Sequence, residues 1–188
     1  VGCVFSVNNA ARIMSHPHIA KRISGLRPTA VNAILAEVRA LQNQGRELVS
    51  LMRGEPDLPT PEHIVTAAQT ALSQGRTAYP NNQGEPALRE AVALKLAAQG
   101  TGGYSADDEI LVTTGATFGI HAAFHALLGP GDVVLLPEPI YDAYLGTVAL
   151  AGGVARSVPA QIEQGRFTLN ADAVMAACGP HSKVLLLN

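Results

Sequence analysis

The feature that most constrains the fold is an alternation of short apolar runs with amphipathic stretches towards the end of the chain. Four short runs are predicted to be strands: the apolar runs 110–113, 133–136 and 184–187, and the run 154–158, which begins and ends with valine. Between them, apolar residues recur mainly at helical spacing. Strands that alternate with helices are typical of a mostly parallel sheet with helices on both faces. The sequence therefore predicts a three-layer α/β/α fold for this part of the chain.

Three helices are expected before this alternation, and a proline-rich segment separates the first from the others. Apolar periodicity predicts helices over 28–44 and 86–99. A third helix should begin at Thr60-Pro61-Glu62, where we expect Thr60 to cap a helix that has a proline and an acid in its first turn. The residues before it, 54–59, hold Gly54 and two prolines, which indicates a rigid hinge.

Composition excludes several classes of protein. Hydrophobic residues make up 47% of the 188 residues, which is too much apolar side chain for a disordered segment. The 13 basic and 15 acidic residues give a net charge of −2, and the basic residues form no cluster that would favour nucleic acid or a membrane surface. Two cysteines are too few for a disulfide framework. We expect a cytoplasmic protein.

Both ends of the chain suggest a piece of something longer. The chain begins at Val1, its first methionine is Met14, and its last predicted strand is followed only by Asn188. A buried parallel strand needs neighbours that pair with it and cover it. We therefore expect a fragment cut inside a larger domain.

The strongest local sign of a binding site is the small-residue turn over residues 113–119, which joins a predicted strand directly to a predicted helix. The free N–H groups and the positive dipole end of such a helix attract anions, and small side chains allow a phosphate to come close. The spacing is neither a dinucleotide fingerprint nor a P-loop. Tight packing of the turn is the alternative interpretation.

Three further residues are candidates on weaker grounds. Tyr141 follows the strand 133–136 at the edge of the sheet where ligands gather, so its ring could stack on a flat cofactor or simply pack at a helix start. Tyr79 lies in a polar loop and could donate to an oxyanion or pack on its own turn. Gly54 could leave backbone room for a ligand or serve only as part of the hinge.

No metal site or hydrolytic centre is expected. His121 and His125 are one helical turn apart, but no third ligand lies nearby and the helix that carries them is predicted to be alanine-rich and buried. Neither cysteine has a histidine neighbour, and no serine lies in a nucleophile elbow.

Five stretches together resemble the N-terminal half of the class I/II aminotransferases, the pyridoxal-phosphate enzymes of fold type I. They are LVSLMRGEPDLPTPEHI (48–64), AYPNNQGEPALREAV (78–92), EILVTTGATFGI (109–120), PGDVVLLPEPIYDAY (130–144) and KVLLLN (183–188). They occur in the order and spacing of the family over about residues 23–188, whereas residues 1–22 carry no resemblance. The resemblance implies three parts: an unassigned extension at 1–22, a helix and a small-domain segment at 23–59, and a partial cofactor-binding large domain at 60–188.

The resemblance also implies roles for the candidate residues. Ala116 and Thr117 match positions that hold the phosphate of pyridoxal phosphate, and Gly115 permits the turn before them. Tyr141 matches the aromatic residue that stacks on the pyridine ring. Tyr79 matches a tyrosine that reaches the cofactor of the partner subunit, which implies a homodimer with shared active sites.

The remaining implications concern the substrate and the catalytic group. Gly54 matches a glycine whose backbone lies beside the substrate carboxylate. The family's Schiff-base lysine matches none of Lys21, Lys95 and Lys183, so the resemblance places it beyond the last residue and implies that the chain alone is inactive. The parent protein is expected to move an amino group between an amino acid and a 2-oxo acid. A lyase and a non-catalytic regulator that binds pyridoxal phosphate remain open as alternatives.

Overall fold

The structure, a computed structural model, describes residues 18, 20–23, 26, 29–49, 51, 54 and 56–188. Most of the predicted extension 1–22 and the predicted helix start at Pro28 lie outside these residues. Within them, a short 3-10 helix at Lys21–Ile23 is followed by six α-helices and five strands. The helices are α1 (Ala30–Asn43), α2 (Glu62–Ser73), α3 (Pro86–Ala98), α4 (Ala116–Leu127), α5 (Ala143–Leu150) and α6 (Ala171–Ala177). The strands are β1 (Val133–Pro137), β2 (Val154–Val158), β3 (Gln161–Glu163), β4 (Arg166–Thr168) and β5 (Ser182–Leu185).

The chain divides into two compact units. One unit comprises Val1–Glu47 together with Thr117–Asn188, and the other is Leu48–Ala116. None of the helices in the described part of the chain is long and apolar enough to cross a membrane.

The first unit is built on a parallel sheet with the strand order β2-β1-β5. Val133 of β1 pairs with Val154 of β2, and Val134 of β1 pairs with Val184 of β5. This confirms the prediction that the runs 133–136, 154–158 and 184–187 are strands of a parallel sheet, with the last one shifted two residues towards the N-terminus.

The side chains of β1 form the core of this unit on both faces of the sheet. Val134 and Leu136 pack against α4 and α5, while Val133 and Leu135 pack against α6. All four side chains are at most 4% exposed, as expected for a central parallel strand covered on both faces. The predicted helix–sheet–helix layering is therefore confirmed.

Two local predictions are wrong, and one pair of strands was not predicted. Residues 110–113 form no strand, because no described strand lies alongside them and a strand is defined by its hydrogen bonds to a neighbour. The antiparallel hairpin of β3 and β4 was not predicted, because its strands are only three residues long and largely exposed. Helix α2 begins at Glu62 with Pro61 preceding it, and no side chain caps it, so Thr60 is not its cap.

One carboxylate ties the turn before β1 to β5. The Oδ2 atom of Asp132 accepts a hydrogen bond from the backbone N–H of Gly129 at 2.7 Å and lies 3.0 Å from the Lys183 Nζ. The Gly129 N–H, followed by the Lys183 ammonium, holds the pKa of Asp132 below its ordinary value. Because the pKa of Asp132 is lower in the folded state than in the unfolded state, its carboxylate stabilises the fold at pH values above the unfolded pKa of about 4. This stabilisation is lost as the pH falls through the pKa of the folded state.

We expect Asp132→Asn to lower the free energy of unfolding near neutral pH, with the difference from wild type shrinking as the pH falls below about 4. Urea unfolding of the complete protein between acid and neutral pH measures this. Lys183→Met is the matched control, because it keeps the bond from Gly129 and should cost less. Parallel stability curves for wild type and Asp132→Asn at every pH would contradict the assignment.

Candidate functional site

The turn at 113–116 leads into α4 and leaves the start of that helix open. Gly115 has a φ of +83°, a conformation that side chains rarely adopt, and its N–H donates to the Thr113 carbonyl oxygen at 2.8 Å. The Thr113 hydroxyl in turn donates to the Gly115 carbonyl oxygen at 3.0 Å. These bonds fix the turn at the point where α4 begins with Ala116 and Thr117, both of which are exposed.

The start of α4 has the electrostatic character of an anion site. The first N–H groups of an α-helix have no partner within the helix, and the dipole places a partial positive charge there. The first turn of α4 contains no acidic side chain that would neutralise this charge. The turn thus combines exposed donors, small side chains and a positive potential, which together suit a phosphate.

Tyr141 lies in the same unit as Thr117, between the end of β1 and the start of α5. Its side chain is 47% exposed, and its ring meets the ring of Tyr144 edge to face at 5.6 Å. Tyr144 is buried, and its hydroxyl donates to the Oδ1 atom of Asn188 at 2.8 Å, just past the end of β5. Tyr141 is therefore supported on one side by a fixed ring while much of its own surface stays accessible to a ligand.

Asp142, the next residue, anchors α1 and was missed by sequence reasoning. Its Oδ2 atom accepts a hydrogen bond from the backbone N–H of Ala30, the first residue of α1, at 2.8 Å. A carboxylate at the start of a helix is stabilising, because it meets both the free N–H groups and the positive dipole end. Since 112 residues separate the two partners, no local pattern could have indicated this contact.

Tyr79, Gly115 and Ala116 belong to the second unit, as does Gly54. The Tyr79 side chain is fully exposed, which argues against the alternative that it packs on its own turn. A Cβ atom added at Gly54 would meet nothing within 4 Å, so the backbone there is open to an approaching group.

Surface depressions and the histidine pair add little to this site. A depression of about 690 Å³ lies along α2 and contains none of the predicted site residues. The imidazole rings of His121 and His125 are 4.2 Å apart, and His125 is exposed rather than buried as predicted, because it lies on the outer side of α4. Among the described residues, no group of three His, Cys, Asp or Glu side chains is arranged to hold a metal ion.

Comparison with known proteins identifies similar sequences over most of the chain. The sequence model of the family described as aminotransferase class I and II matches residues 46–188. The aspartate/prephenate aminotransferase of Thermus thermophilus is 38% identical over 170 residues, which are 90% of this chain and 44% of that protein. A probable N-succinyldiaminopimelate aminotransferase of Mycobacterium tuberculosis is 39% identical over 166 residues, or 88% of this chain and 41% of its own length.

Solved structures of the same kind share the fold. The aspartate aminotransferase of Thermus thermophilus with maleate superposes with a TM-score of 0.84 at 36% identity, covering 92% of this chain and 44% of that one. The aspartate aminotransferase of Rhizobium meliloti gives 0.84 at 32% identity, covering 92% and 42%. The chain therefore spans less than half the length of the relatives that it matches.

Proposed function

Because the chain belongs to the class I and II aminotransferase family, we propose that the complete protein moves an amino group between an amino acid and a 2-oxo acid with pyridoxal phosphate. The observation that carries this proposal is the open start of α4 after the turn at Gly115. Exposed N–H donors and a positive potential fit the phosphate of the cofactor. When bound, pyridoxal phosphate supplies the electron sink on which such transfers depend.

Each residue of the turn would have a different role in binding the phosphate. The backbone N–H groups of Ala116 and Thr117 would donate to its oxygens, and the Thr117 hydroxyl would add a third donor. Gly115 serves the turn itself, because its φ of +83° would strain any residue with a side chain. A phosphate on charge-assisted hydrogen bonds of this kind is held in one orientation as well as bound.

Tyr141 would stack on the pyridine ring and so fix the plane of the cofactor. The edge-to-face contact with Tyr144 holds the Tyr141 ring from one side. The bond between Tyr144 and Asn188 in turn holds Tyr144. The support for this role is therefore an exposed aromatic face on a rigid base.

We expect Tyr141→Ala to weaken the binding of pyridoxal phosphate by about 2- to 13-fold, because aromatic stacking contributes about 0.5–1.5 kcal/mol beyond area burial. Absorbance titration of the complete protein with the cofactor measures the change. Tyr141→Phe keeps the ring and should bind nearly as well as wild type. Equal affinities for Tyr141→Ala and Tyr141→Phe would count against stacking.

The dimer, the substrate contact and the catalytic lysine complete the proposal. Tyr79 would reach the cofactor phosphate of a partner subunit, and its full exposure leaves it available for this. The backbone at Gly54 would lie beside the substrate carboxylate. The lysine that binds the cofactor covalently would follow residue 188, since Lys21, Lys95 and Lys183 match no catalytic position. The cytoplasmic location stays a prediction from the sequence.

The test of the proposed reaction is the fate of the amino nitrogen. The complete protein is incubated with pyridoxal phosphate, ¹⁵N-labelled aspartate and 2-oxoglutarate, and the glutamate is analysed by mass spectrometry. We expect ¹⁵N in the glutamate. Free labelled ammonia without labelled glutamate would favour a lyase, and bound cofactor with neither product would favour a non-catalytic binding domain.

A further inference from the structure

The second unit contains a buried arginine, Arg89, to which the proposed function assigns no role. Arg89 on α3 is only 3% exposed, although arginine is seldom buried. Its Nε donates to the Gly84 carbonyl oxygen at 3.2 Å, and its Nη1 donates to the Ala106 carbonyl oxygen. The same nitrogen lies 3.5 Å from a carboxylate oxygen of Asp107.

The two carbonyl groups hold Arg89 more firmly than the ion pair does. The Asp107 side chain is 87% exposed, so solvent screens its attraction for the guanidinium. The bonds to Gly84 and Ala106 instead use the fixed fork of the arginine, which a lysine ammonium does not reproduce. Burying a charge is costly, and an apolar side chain often stabilises a core equally well. The distinctive effect of Arg89 is therefore to fix the loop at Gly84 relative to the loop at Ala106.

One of these loops carries Tyr79, and its end is joined to the segment that leads into the anion turn. The Val112 N–H donates to the Gln83 carbonyl oxygen at 2.9 Å. Gly84 has a φ of +104°, and a Cβ atom there would lie 2.6 Å from the Cβ atom of Val112. The backbone of the loop is thus packed directly on Val112, three residues before Gly115.

We propose that Arg89 is a positioning residue for the cofactor site. By holding the Gly84 carbonyl group, it fixes the loop that presents Tyr79 and, through Val112, the approach to the turn at Gly115. This inference rests on the proposed function, because the turn and Tyr79 are the groups that would hold the cofactor phosphate. Arg89 itself would touch neither cofactor nor substrate.

The test compares Arg89→Lys with Arg76→Met in the complete protein. Arg76 is a matched control, because it also pairs with a carboxylate, Glu85 at 3.4 Å, but is largely exposed. We expect Arg89→Lys to weaken pyridoxal phosphate binding by about 10- to 100-fold, which is the loss of affinity expected when one hydrogen bond to a charged group is no longer made. Arg89→Lys should also lower the urea midpoint, because it leaves a buried carbonyl group without its partner, so affinity is compared under conditions in which every variant is folded. Arg76→Met should match wild type in both respects.

Hydrogen exchange without cofactor adds a readout that does not depend on binding. In Arg89→Lys, the amides of Gly84 and Val112 should exchange faster, while those of β1 should keep their protection. Gly84→Ala adds a Cβ atom that would lie 2.6 Å from the Cβ atom of Val112, so it should push the loop away from Val112 while leaving Arg89 unchanged. We expect the same faster exchange at Val112 in this variant, which provides a second test if Arg89→Lys does not fold.

The outcomes separate this inference from the function on which it rests. Wild-type protein that binds no pyridoxal phosphate would contradict the proposed function. Wild-type protein that binds it, together with an Arg89→Lys variant of equal affinity or unchanged exchange at Val112, would overturn only the role of Arg89. Exchange that rises throughout the protein would also overturn it, because it would show a general loss of stability.

Discussion

Thr117→Asp is expected to bind pyridoxal phosphate at least about 100-fold more weakly than wild type. Two unit charges about 4 Å apart repel by about 4 kcal/mol at an effective dielectric constant of 20, which would correspond to a loss of about 1000-fold. The same substitution should not damage the fold. An acid in the first turn of a helix contributes about 0.3–1 kcal/mol of stability, and α4 has none there.

Thr117→Asp should therefore lower the affinity for the cofactor without lowering the stability of the fold. Cofactor titration gives the affinity and urea unfolding gives the stability of the complete protein. Thr117→Asn is the matched control, because it has the shape of aspartate without the charge and should lose much less affinity. If Thr117→Asp and Thr117→Asn bind the cofactor equally, the phosphate does not lie at the start of α4.

Mixed dimers of Tyr79→Phe and Thr117→Asp subunits are expected to recover about half of the wild-type activity, because one of the two sites in each mixed dimer has both groups intact. Tyr79→Phe homodimers should themselves be impaired at limiting cofactor, since a hydrogen bond to a charged group contributes about 1.5–3 kcal/mol. The two subunits are co-expressed with different tags, and the mixed dimers are purified through both.

The recovery depends on which subunit Tyr79 serves. If Tyr79 acts on the cofactor of its own chain, each site of a mixed dimer carries one defect and the mixed dimer stays as impaired as its parents. A mixed dimer without recovery, made from two impaired homodimers, would therefore contradict shared active sites.

Sequence reasoning predicted the parts of the fold in which the signal is local and strong. The runs that became β1 and β5 are apolar, and β1 is buried on both faces. β2 holds Arg156 and Ser157 and is mostly exposed, so it was predicted from the alternation of strands with helices rather than from its apolar character. The pattern at 110–113 was similar, yet a strand also needs a neighbour, and none lies alongside it in the described part of the chain. Short exposed strands such as β3 and β4 bury too little to leave a pattern at all.

In the candidate site, too, the local features could be predicted from the sequence and the contacts between distant residues could not. The turn at Gly115 could be predicted, because small residues between a strand and a helix have a direct physical meaning. The identity of its anion came from the family resemblance. The contacts of Asp142 with Ala30 and of Arg89 with Gly84 and Ala106 could not be predicted, because they join residues whose spacing carries no periodic signal. Arg89 in particular looks like an ordinary charged residue on the surface of a helix.

A crystal structure of the complete protein with pyridoxal phosphate would test the phosphate site at the start of α4 directly, through the position of the cofactor phosphorus atom. We expect phosphate oxygens within hydrogen-bond distance of the Ala116 and Thr117 backbone nitrogens, about 2.7–3.2 Å, with the Tyr141 ring stacked on the pyridine ring. A phosphate bound away from the start of α4, with the Tyr141 ring free of the cofactor, would contradict this expectation.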